Sequence, residues 1–170
     1  MRYFAYGSNV NRNHIVEYLD TLGVKLDTEL DGEHALLQNF HIRTNYFAGS
    51  HRAGACNIEP AQDHRVEGVL WTITPAIQDV LRIKEGFPRC YEETEVIVHT
   101  ASTQEPVRAI TYIVSPKHCL DVDLPVTARY RDFVLNGATE FKFTKEYQKQ
   151  LRQLLQIAPS LTILASVNNV

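Results

Sequence analysis

The sequence predicts an α+β protein built on a small, closed or nearly closed, mostly antiparallel β-barrel with α-helices packed outside it. Segments rich in β-branched and aromatic residues dominate the chain, and residues 66–73 (VEGVLWTI) are the clearest of them. Helical patterns fall in the connections between these segments and at the end of the chain. With 170 residues, 44% of them hydrophobic, the chain suits one domain with one core.

The first predicted elements are a strand, a turn and a short helix. Residues 2–6 form an apolar strand that ends at Gly7, and residues 11–19 carry apolar side chains at helical spacing. Between residues 27 and 58 the pattern is irregular, so we expect several short strands joined by glycine and polar turns.

A capped helix follows the strand at residues 66–73. Thr74 is placed to cap it, Pro75 suits its first position and Gly86 marks its end. Two strands and two helices complete the prediction, at residues 91–99, 107–114, 126–135 and 145–155. We expect residues 1–157 to form a single domain and residues 158–170 to be a C-terminal extension.

The composition argues against several classes of function. The net charge is −3 and the basic residues are scattered, so we expect no nucleic-acid or membrane partner. Three widely spaced cysteines, Cys56, Cys90 and Cys119, form no disulfide framework and indicate a reducing compartment. We expect no signal peptide and no membrane-spanning run, and therefore a cytoplasmic protein. The seven histidines lack the spacing of metal ligands, so we expect no metal site.

The first candidate site is the turn Tyr6-Gly7-Ser8-Asn9. A glycine permits a sharp bend and a close approach of a ligand to the backbone. Consecutive N–H groups in such a turn, before a helix, form a site for an anion. The alternative is a plain strand-to-helix turn in which Ser8 or Asn9 acts as a helix cap.

The second candidate is Glu85, on the last turn of the predicted helix and directly before Gly86. The end of a helix carries partial negative charge, which disfavours an ionised carboxylate there. If Glu85 is also partly buried, its pKa should rise, as in a proton-transfer group. The alternative is a surface glutamate paired with Lys84 or Arg82.

Several sequence blocks occur in the order found in γ-glutamylcyclotransferases. They are YFAYGSN (3–9), GACNI (54–58), VEGVLWTI (66–73), EGFPRCY (85–91), AITYIV (109–114), RYRDFVLNGATE (129–140) and KEYQKQL (145–151). Over about its first 150 residues the chain therefore resembles this family, whose fold is γ-glutamylcyclotransferase-like, or AIG2-like.

The resemblance implies an enzyme that converts a γ-glutamyl amino acid or γ-glutamyl amine to 5-oxoproline and a free amine by intramolecular aminolysis. Glu85 would be the general acid and base, and no cofactor or metal would be needed. The implied substrate-binding residues are Tyr3, Phe4, Ala5, Tyr6, Gly7, Ser8, Asn9 and Tyr130. The only partner expected is the small γ-glutamyl substrate, and the protein would be a monomer or a homodimer.

One departure from the family pattern keeps two other hypotheses open. Several members have an aspartate three residues before the catalytic glutamate, where this chain has Arg82. If this replacement has abolished catalysis, the chain would be a non-catalytic protein that binds an acidic metabolite or peptide with the same loop. A hydrolase with Ser8 as nucleophile is a third option, although the chain lacks a GxSxG motif and His14 is the only histidine nearby in sequence.

Overall fold

The computed structural model describes residues 1–26 and 28–157, and its strands form a closed barrel. The strands are β1 (Arg2–Ala5), β2 (Gly32–Ala48), β3 (Ala53–Thr72), β4 (Tyr91–Thr100) and β5 (Pro106–Val114). Their order around the barrel is β1-β3-β2-β4-β5. Every neighbouring pair is antiparallel except β1 and β5, which meet in parallel at Tyr3 and Ile110. The predicted mostly antiparallel barrel is confirmed, whereas the predicted extension at 158–170 lies outside the described residues.

The helices lie in the connections and at the end of the described chain, as predicted. They are α1 (Arg12–Thr21), α2 (Pro75–Glu85), α3 (Ala128–Glu140) and α4 (Lys145–Leu154), with short 3-10 helices at Ser8–Val10 and Pro116–His118. The predicted ends of α2 are confirmed: the Thr74 side chain accepts a hydrogen bond from the Ile77 N–H, and Gly86 is left-handed at φ 65°. None of the helices in this part of the chain is long and apolar enough to cross a membrane.

The prediction of several short strands between residues 27 and 58 is wrong. This region instead supplies β2, of 17 residues, and the first part of β3, of 20 residues, which pair as one long hairpin. The pairing register shifts between Gln38 and Phe40 and again between Arg43 and Tyr46. Each shift interrupts the alternation of buried and exposed side chains while the hairpin continues. The alternation in the sequence is therefore interrupted at positions where the strand itself continues.

The barrel interior anchors the turn that follows β1. Trp71 on β3 is fully buried, and its indole N–H donates to the backbone oxygen of Asn9 at 2.9 Å. Its ring also packs edge-on against Phe141, with 5.1 Å between the ring centroids. Burying such a side chain contributes on the order of 2–3 kcal/mol. The turn after β1 is thus fixed to the core by both packing and a buried hydrogen bond.

Candidate active site

A cavity of about 630 Å³ lies next to the C-terminal end of β1. Its walls come from the turn after β1, the tip of the β2–β3 hairpin, α1, the C-terminal end of α2 and the first half of α3. The volume is typical of a small-molecule site. Seven of the site residues implied by the resemblance line this cavity, namely Tyr3, Tyr6, Gly7, Ser8, Asn9, Glu85 and Tyr130.

Phe4 and Ala5 are not among the residues that line the cavity, although the resemblance implied a substrate-binding role for both. They are 0% and 1% exposed and belong to the core. Successive strand residues face opposite sides of a sheet, so Phe4 points away from the side that Tyr3 occupies. The ring of Phe4 packs against the backbone at Gly68, and the single methyl group of Ala5 does not reach the cavity.

Gly7 is required for packing and not for a special backbone angle. Its φ is −101°, outside the left-handed range that favours glycine. A Cβ atom at this position would lie 2.9 Å from the hydroxyl oxygen of Tyr130 and 3.3 Å from the Cβ of Cys56. The glycine therefore allows Tyr130 to approach the turn, which corrects our interpretation that the residue serves a sharp bend.

The amide groups of this turn are available to a ligand. Hydrogen bonds within the turn begin at Val10 and Asn11. The Val10 N–H donates to the Gly7 oxygen at 3.1 Å, and the Asn11 N–H donates to the Ser8 oxygen at 3.2 Å. Within residues 1–26 and 28–157 the N–H groups of Gly7, Ser8 and Asn9 find no protein acceptor. The cap of α1 is Asn11, whose side chain accepts from the His14 N–H at 3.0 Å. Helix capping by Ser8 or Asn9 is therefore excluded.

Glu85 lies against this turn. Its Oε1 accepts a hydrogen bond from the Asn9 Nδ2 at 2.8 Å, which joins the end of α2 to the segment after β1. Burial raises the pKa of Glu85 above its ordinary value, and the nearby Lys84 charge and the Asn9 hydrogen bond only partly oppose this effect. A carboxyl group with a raised pKa beside free amide donors is suited to proton transfer.

The two basic neighbours of Glu85 have other partners. Arg82 makes a two-pronged ion pair with Glu93, at 2.9 and 2.8 Å, and Tyr112 donates to the same carboxylate at 2.9 Å. The Lys84 ammonium donates to the Asn9 Oδ1 and contacts the His14 Nε2 at 2.8 Å. Glu85 therefore does not belong to a surface ion pair. The arginine that replaces the family's aspartate is engaged with β4 and leaves the Glu85 carboxylate untouched.

Asn9 is the central residue of this cluster. Its Nδ2 donates both to Glu85 and, at 2.9 Å, to the hydroxyl of Tyr3, and the residue is only 4% exposed. The hydroxyl of Tyr6 donates to the backbone oxygen of Tyr112 at 2.5 Å. Burial is the largest cause that raises the pKa of Tyr3 and Tyr6, so both phenols stay protonated at neutral pH. Within this cluster the side-chain amide of Asn9 is the donor that contacts the Glu85 carboxylate.

Tyr130 on α3 forms another part of the cavity wall. Thr127 caps this helix by accepting from the Tyr130 N–H at 3.1 Å, and the Tyr130 hydroxyl accepts from the Cys56 N–H at 2.8 Å. Its ring stacks on His51, from the tip of the β2–β3 hairpin, with 5.5 Å between the ring centroids. Tyr130 thus connects α3, β3 and the hairpin tip at the cavity.

The hydrolase hypothesis for Ser8 finds no support in the geometry. Among the described residues, no side chain is hydrogen-bonded to the Ser8 hydroxyl, and the Nε2 of His14 faces Lys84. His14 stacks on Phe133 at 4.0 Å, and burial together with the Lys84 charge lowers its pKa to about 3. Ser8 therefore lacks the adjacent base that a serine nucleophile needs.

Sequence reasoning did not assign several other lining residues to the site, among them His14, Lys84, Tyr91 and Tyr112. Tyr91 lies inside the EGFPRCY block, so the sequence contained a signal that could have identified it as a site residue. Its hydroxyl donates to the Cys56 oxygen at 3.3 Å. Lys84 looked like the ordinary cation of a helix C-terminus. In the part of the chain that the structure describes, no group of three or more histidine, cysteine or acidic side chains is arranged to hold a metal ion.

Solved structures share this architecture. A γ-glutamyl cyclotransferase is 22% identical with a TM-score of 0.79, over 94% of this chain and 90% of that one. An uncharacterized human protein is also 22% identical, with a TM-score of 0.74 over the same shares. A yeast γ-glutamyl cyclotransferase specific to glutathione is 13% identical, with a TM-score of 0.64 over 91% of this chain and 95% of that one. The chain therefore has the γ-glutamylcyclotransferase-like α+β fold.

Sequence comparison also gives the family. The sequence model of the AIG2-like family matches residues 65–151, just over half of the chain. The chain belongs to the AIG2-like family. No curated protein sequence matches it significantly.

Proposed function

We propose that the chain is a cytoplasmic γ-glutamylcyclotransferase that releases 5-oxoproline and a free amine from a γ-glutamyl compound, with Glu85 as general acid and base. The observation that carries the proposal is the contact between Glu85 and Asn9, which joins the carboxylate to the turn whose residues Gly7 and Ser8 line the same cavity. The fold shared with a γ-glutamyl cyclotransferase supports the same reading.

The reaction begins at the α-amine of the glutamyl group. Such amines titrate at about 7.7–8.0, so at neutral pH most of them carry the extra proton and cannot attack. The ionised Glu85 takes a proton from the α-ammonium group. Its raised pKa makes it a stronger base than an exposed glutamate.

Ring closure follows as the α-nitrogen attacks the γ-carbonyl carbon and the carbonyl oxygen becomes negative. We assign the stabilisation of that oxygen, or the binding of the α-carboxylate, to the amides of Gly7, Ser8 and Asn9, which have no protein acceptor among the described residues. The bond from the γ-carbon to the leaving nitrogen then breaks. Two protons pass from the α-nitrogen to the leaving nitrogen overall, and Glu85 carries them one at a time.

The walls of the cavity contribute by fixing the substrate. The glutamyl chain must fold back on itself before its two ends react, and holding that conformation can lower the barrier by several kcal/mol. Tyr6 and Tyr130 both line the cavity, and we assign to them the role of restricting the space available to an extended chain.

The test is release of 5-oxoproline from a panel of γ-glutamyl compounds by the purified protein and by Glu85→Gln. We expect the variant to lose at least about 100-fold in kcat, the lower end of a general acid–base contribution. Glu105→Gln is the matched control, because Glu105 is exposed and distant from the lining residues. Circular dichroism checks that all three proteins are folded, and normal turnover by Glu85→Gln would reject the assignment.

The same panel separates the enzyme from the non-catalytic alternative. Calorimetry measures binding of glutamate and 5-oxoproline. Tight binding of either compound without turnover of any γ-glutamyl compound would support the non-catalytic binding protein. Turnover that depends on Glu85 would exclude it.

A further inference from the structure

We infer that Lys84 is a positioning residue for Glu85 that acts through Asn9. Its ammonium holds the side-chain oxygen of Asn9, so that the Asn9 amide nitrogen faces Glu85 both before and after Glu85 has taken a proton. This inference rests on the proposed function. It adds to that function a residue whose own hydrogen bonds go to Asn9 and His14.

The side chain of Asn9 has all of its hydrogen-bonding groups engaged in one orientation. Its Nδ2 carries two N–H groups, which donate to the Glu85 Oε1 at 2.8 Å and to the Tyr3 hydroxyl at 2.9 Å. Its Oδ1 accepts from the Lys84 ammonium. Asn9 is buried, so these partners are not readily replaced by water. Reversal of the amide exchanges its donor and acceptor ends, and each of the three partners must tolerate that exchange.

Two of the three partners tolerate reversal once Glu85 is protonated. An ionised carboxylate only accepts hydrogen bonds, so it favours the observed orientation by itself, but a protonated one gains an O–H donor. That O–H can donate to an amide oxygen. The hydroxyl of Tyr3 can likewise donate to an amide oxygen in place of accepting from an N–H group. Glu85 and Tyr3 therefore do not fix the Asn9 amide at the stage of the reaction in which Glu85 holds the proton.

Lys84 is the partner that does not tolerate reversal. An ammonium group has three donors and no acceptor, so it binds the Asn9 oxygen and opposes the Asn9 N–H groups. The ammonium is itself held from α1, by the His14 Nε2 at 2.8 Å and by the ring of Tyr18, whose centroid lies 5.6 Å away. His14 accepts this bond in its neutral form, because burial and the Lys84 charge lower its pKa to about 3.

The fixed amide keeps the proton on Glu85 available to the leaving nitrogen. A reversed Asn9 would accept the Glu85 O–H and stabilise the protonated acid, so the second proton transfer would be slower. Lys84 opposes that arrangement by holding the Asn9 oxygen. The Lys84 charge also favours the ionised Glu85 directly, and the experiment must separate this effect of charge from the effect of orientation.

A double-mutant cycle on kcat for 5-oxoproline release separates the two effects. Lys84→Met removes the ammonium, and Asn9→Leu replaces the amide by an apolar group of similar shape. We expect Lys84→Met alone to lower kcat by roughly 10- to 100-fold, the range of a hydrogen bond to a charged group. In the Asn9→Leu protein the same change should cost clearly less, because only the charge effect is left. Lys149→Met, at an exposed position on α4, is the control that should leave kcat unchanged.

The cycle also distinguishes positioning from support of the fold. The orientation of the amide governs proton transfer, so KM should change much less than kcat in Lys84→Met. Equal losses of kcat on replacing Lys84 in the two backgrounds would show that the residue acts by its charge or by supporting the fold, and would overturn the inference. Circular dichroism checks that each variant is folded.

NMR tests the orientation of the amide without turnover. Glu85→Gln places a neutral side chain with an N–H donor where the protonated acid would be. Nuclear Overhauser contacts between the Asn9 Nδ2 protons and the Tyr3 ring report the orientation, and the absence of these signals in Asn9→Leu assigns them. We expect the contacts to persist in Glu85→Gln and to weaken when Lys84→Met is added, whereas adding Lys149→Met should leave them unchanged.

Equal contacts in Glu85→Gln with and without Lys84→Met would reject the inference. Should the unmodified protein release no 5-oxoproline from any γ-glutamyl compound, the proposed function fails, and the NMR comparison still decides whether Lys84 orients Asn9.

Discussion

At the scale of single residues, the chemistry of the cavity depends on a balance around one carboxylate. Burial raises the pKa of Glu85, whereas the Lys84 charge and the Asn9 hydrogen bond lower it. Burial makes the group more basic, and the two neighbours partly oppose this effect by favouring the ionised form. Of these three effects on the pKa of Glu85, only that of Asn9 acts through a hydrogen bond to the carboxylate itself, at 2.8 Å.

Replacing Asn9 should therefore shift the pH dependence of the reaction. The proposed reaction needs the ionised Glu85, so we expect kcat to be highest above the pKa of Glu85 and to fall as the pH drops through that pKa. In the unmodified protein this acid limb lies above 4.5, the ordinary value. Asn9→Ala removes a hydrogen bond that lowers the pKa, so the acid limb should move to higher pH. A pH–rate profile measures the shift, and an acid limb at the same pH in both proteins would contradict the role of Asn9.

At the scale of the elements, the site depends on a close approach of α3 to the turn after β1. A Cβ atom at Gly137 would lie 2.6 Å from both the carbonyl carbon and the carbonyl oxygen of Val10. Backbone atoms cannot move aside as a flexible side chain can, so any larger residue there must push the helix outward. Because Tyr130 is on the same helix, the wall of the cavity would move with it.

Gly137→Ala should consequently weaken both the fold and the site. Overpacking of this kind destabilises by about 1–3 kcal/mol. We also expect a higher KM for a γ-glutamyl substrate, because Tyr130 is displaced from the turn. Urea unfolding measures the first effect and steady-state kinetics the second. Asn136→Ala, at the exposed neighbouring position, should leave both unchanged within error, and equal behaviour of the two variants would rule out the steric argument.

At the scale of the whole molecule, a second buried carboxylate joins the barrel to the last helix. Glu67 on β3 is 0% exposed and accepts hydrogen bonds from the Thr144 N–H at 2.7 Å and the Thr144 hydroxyl at 2.5 Å. His34 on β2 lies 3.1 Å from the same carboxylate. Burial alone would raise the pKa of Glu67, but the hydrogen bonds from Thr144 and the close contact with His34 outweigh it, and the pKa lies below its ordinary value. Glu67 therefore holds β2, β3 and the start of α4 together as an anion.

The stability of the protein should fall in acid for this reason. A carboxyl group with a lower pKa in the folded state stabilises the protein above its unfolded pKa, and this stabilisation is lost as the pH falls through the folded pKa. Glu67→Gln should be less stable at pH 7 by about 1–3 kcal/mol, the usual value of hydrogen bonds to a charged group, and should lose less on acidification. Unfolding midpoints between pH 7 and pH 3 provide the measurement. Parallel pH profiles for Glu67→Gln and the unmodified protein would show that Glu67 is not the responsible group.

The sequence by itself determined the features that depend on local interactions. The ends of α2 follow from Thr74, Pro75 and Gly86, because capping and left-handed geometry involve only neighbours in the chain. It also placed Glu85 on the last turn of α2 and the polar turn directly after β1. Both candidates for the site were therefore visible before their relation in space was known.

Only the tertiary structure decided which residues meet. Asn9 and Glu85 are 76 positions apart, and Tyr130 and Cys56 are 74 apart, so neither hydrogen bond leaves a trace in the local pattern. Closure of the barrel brings these segments together, and register shifts let β2 continue where the alternation stops. The same closure turned Phe4 into the core and left the Lys84 ammonium facing a cavity without a carboxylate partner among the described residues. Periodicity records which face of an element is buried, whereas the site is defined by contacts between elements, and those exist only once the chain has folded.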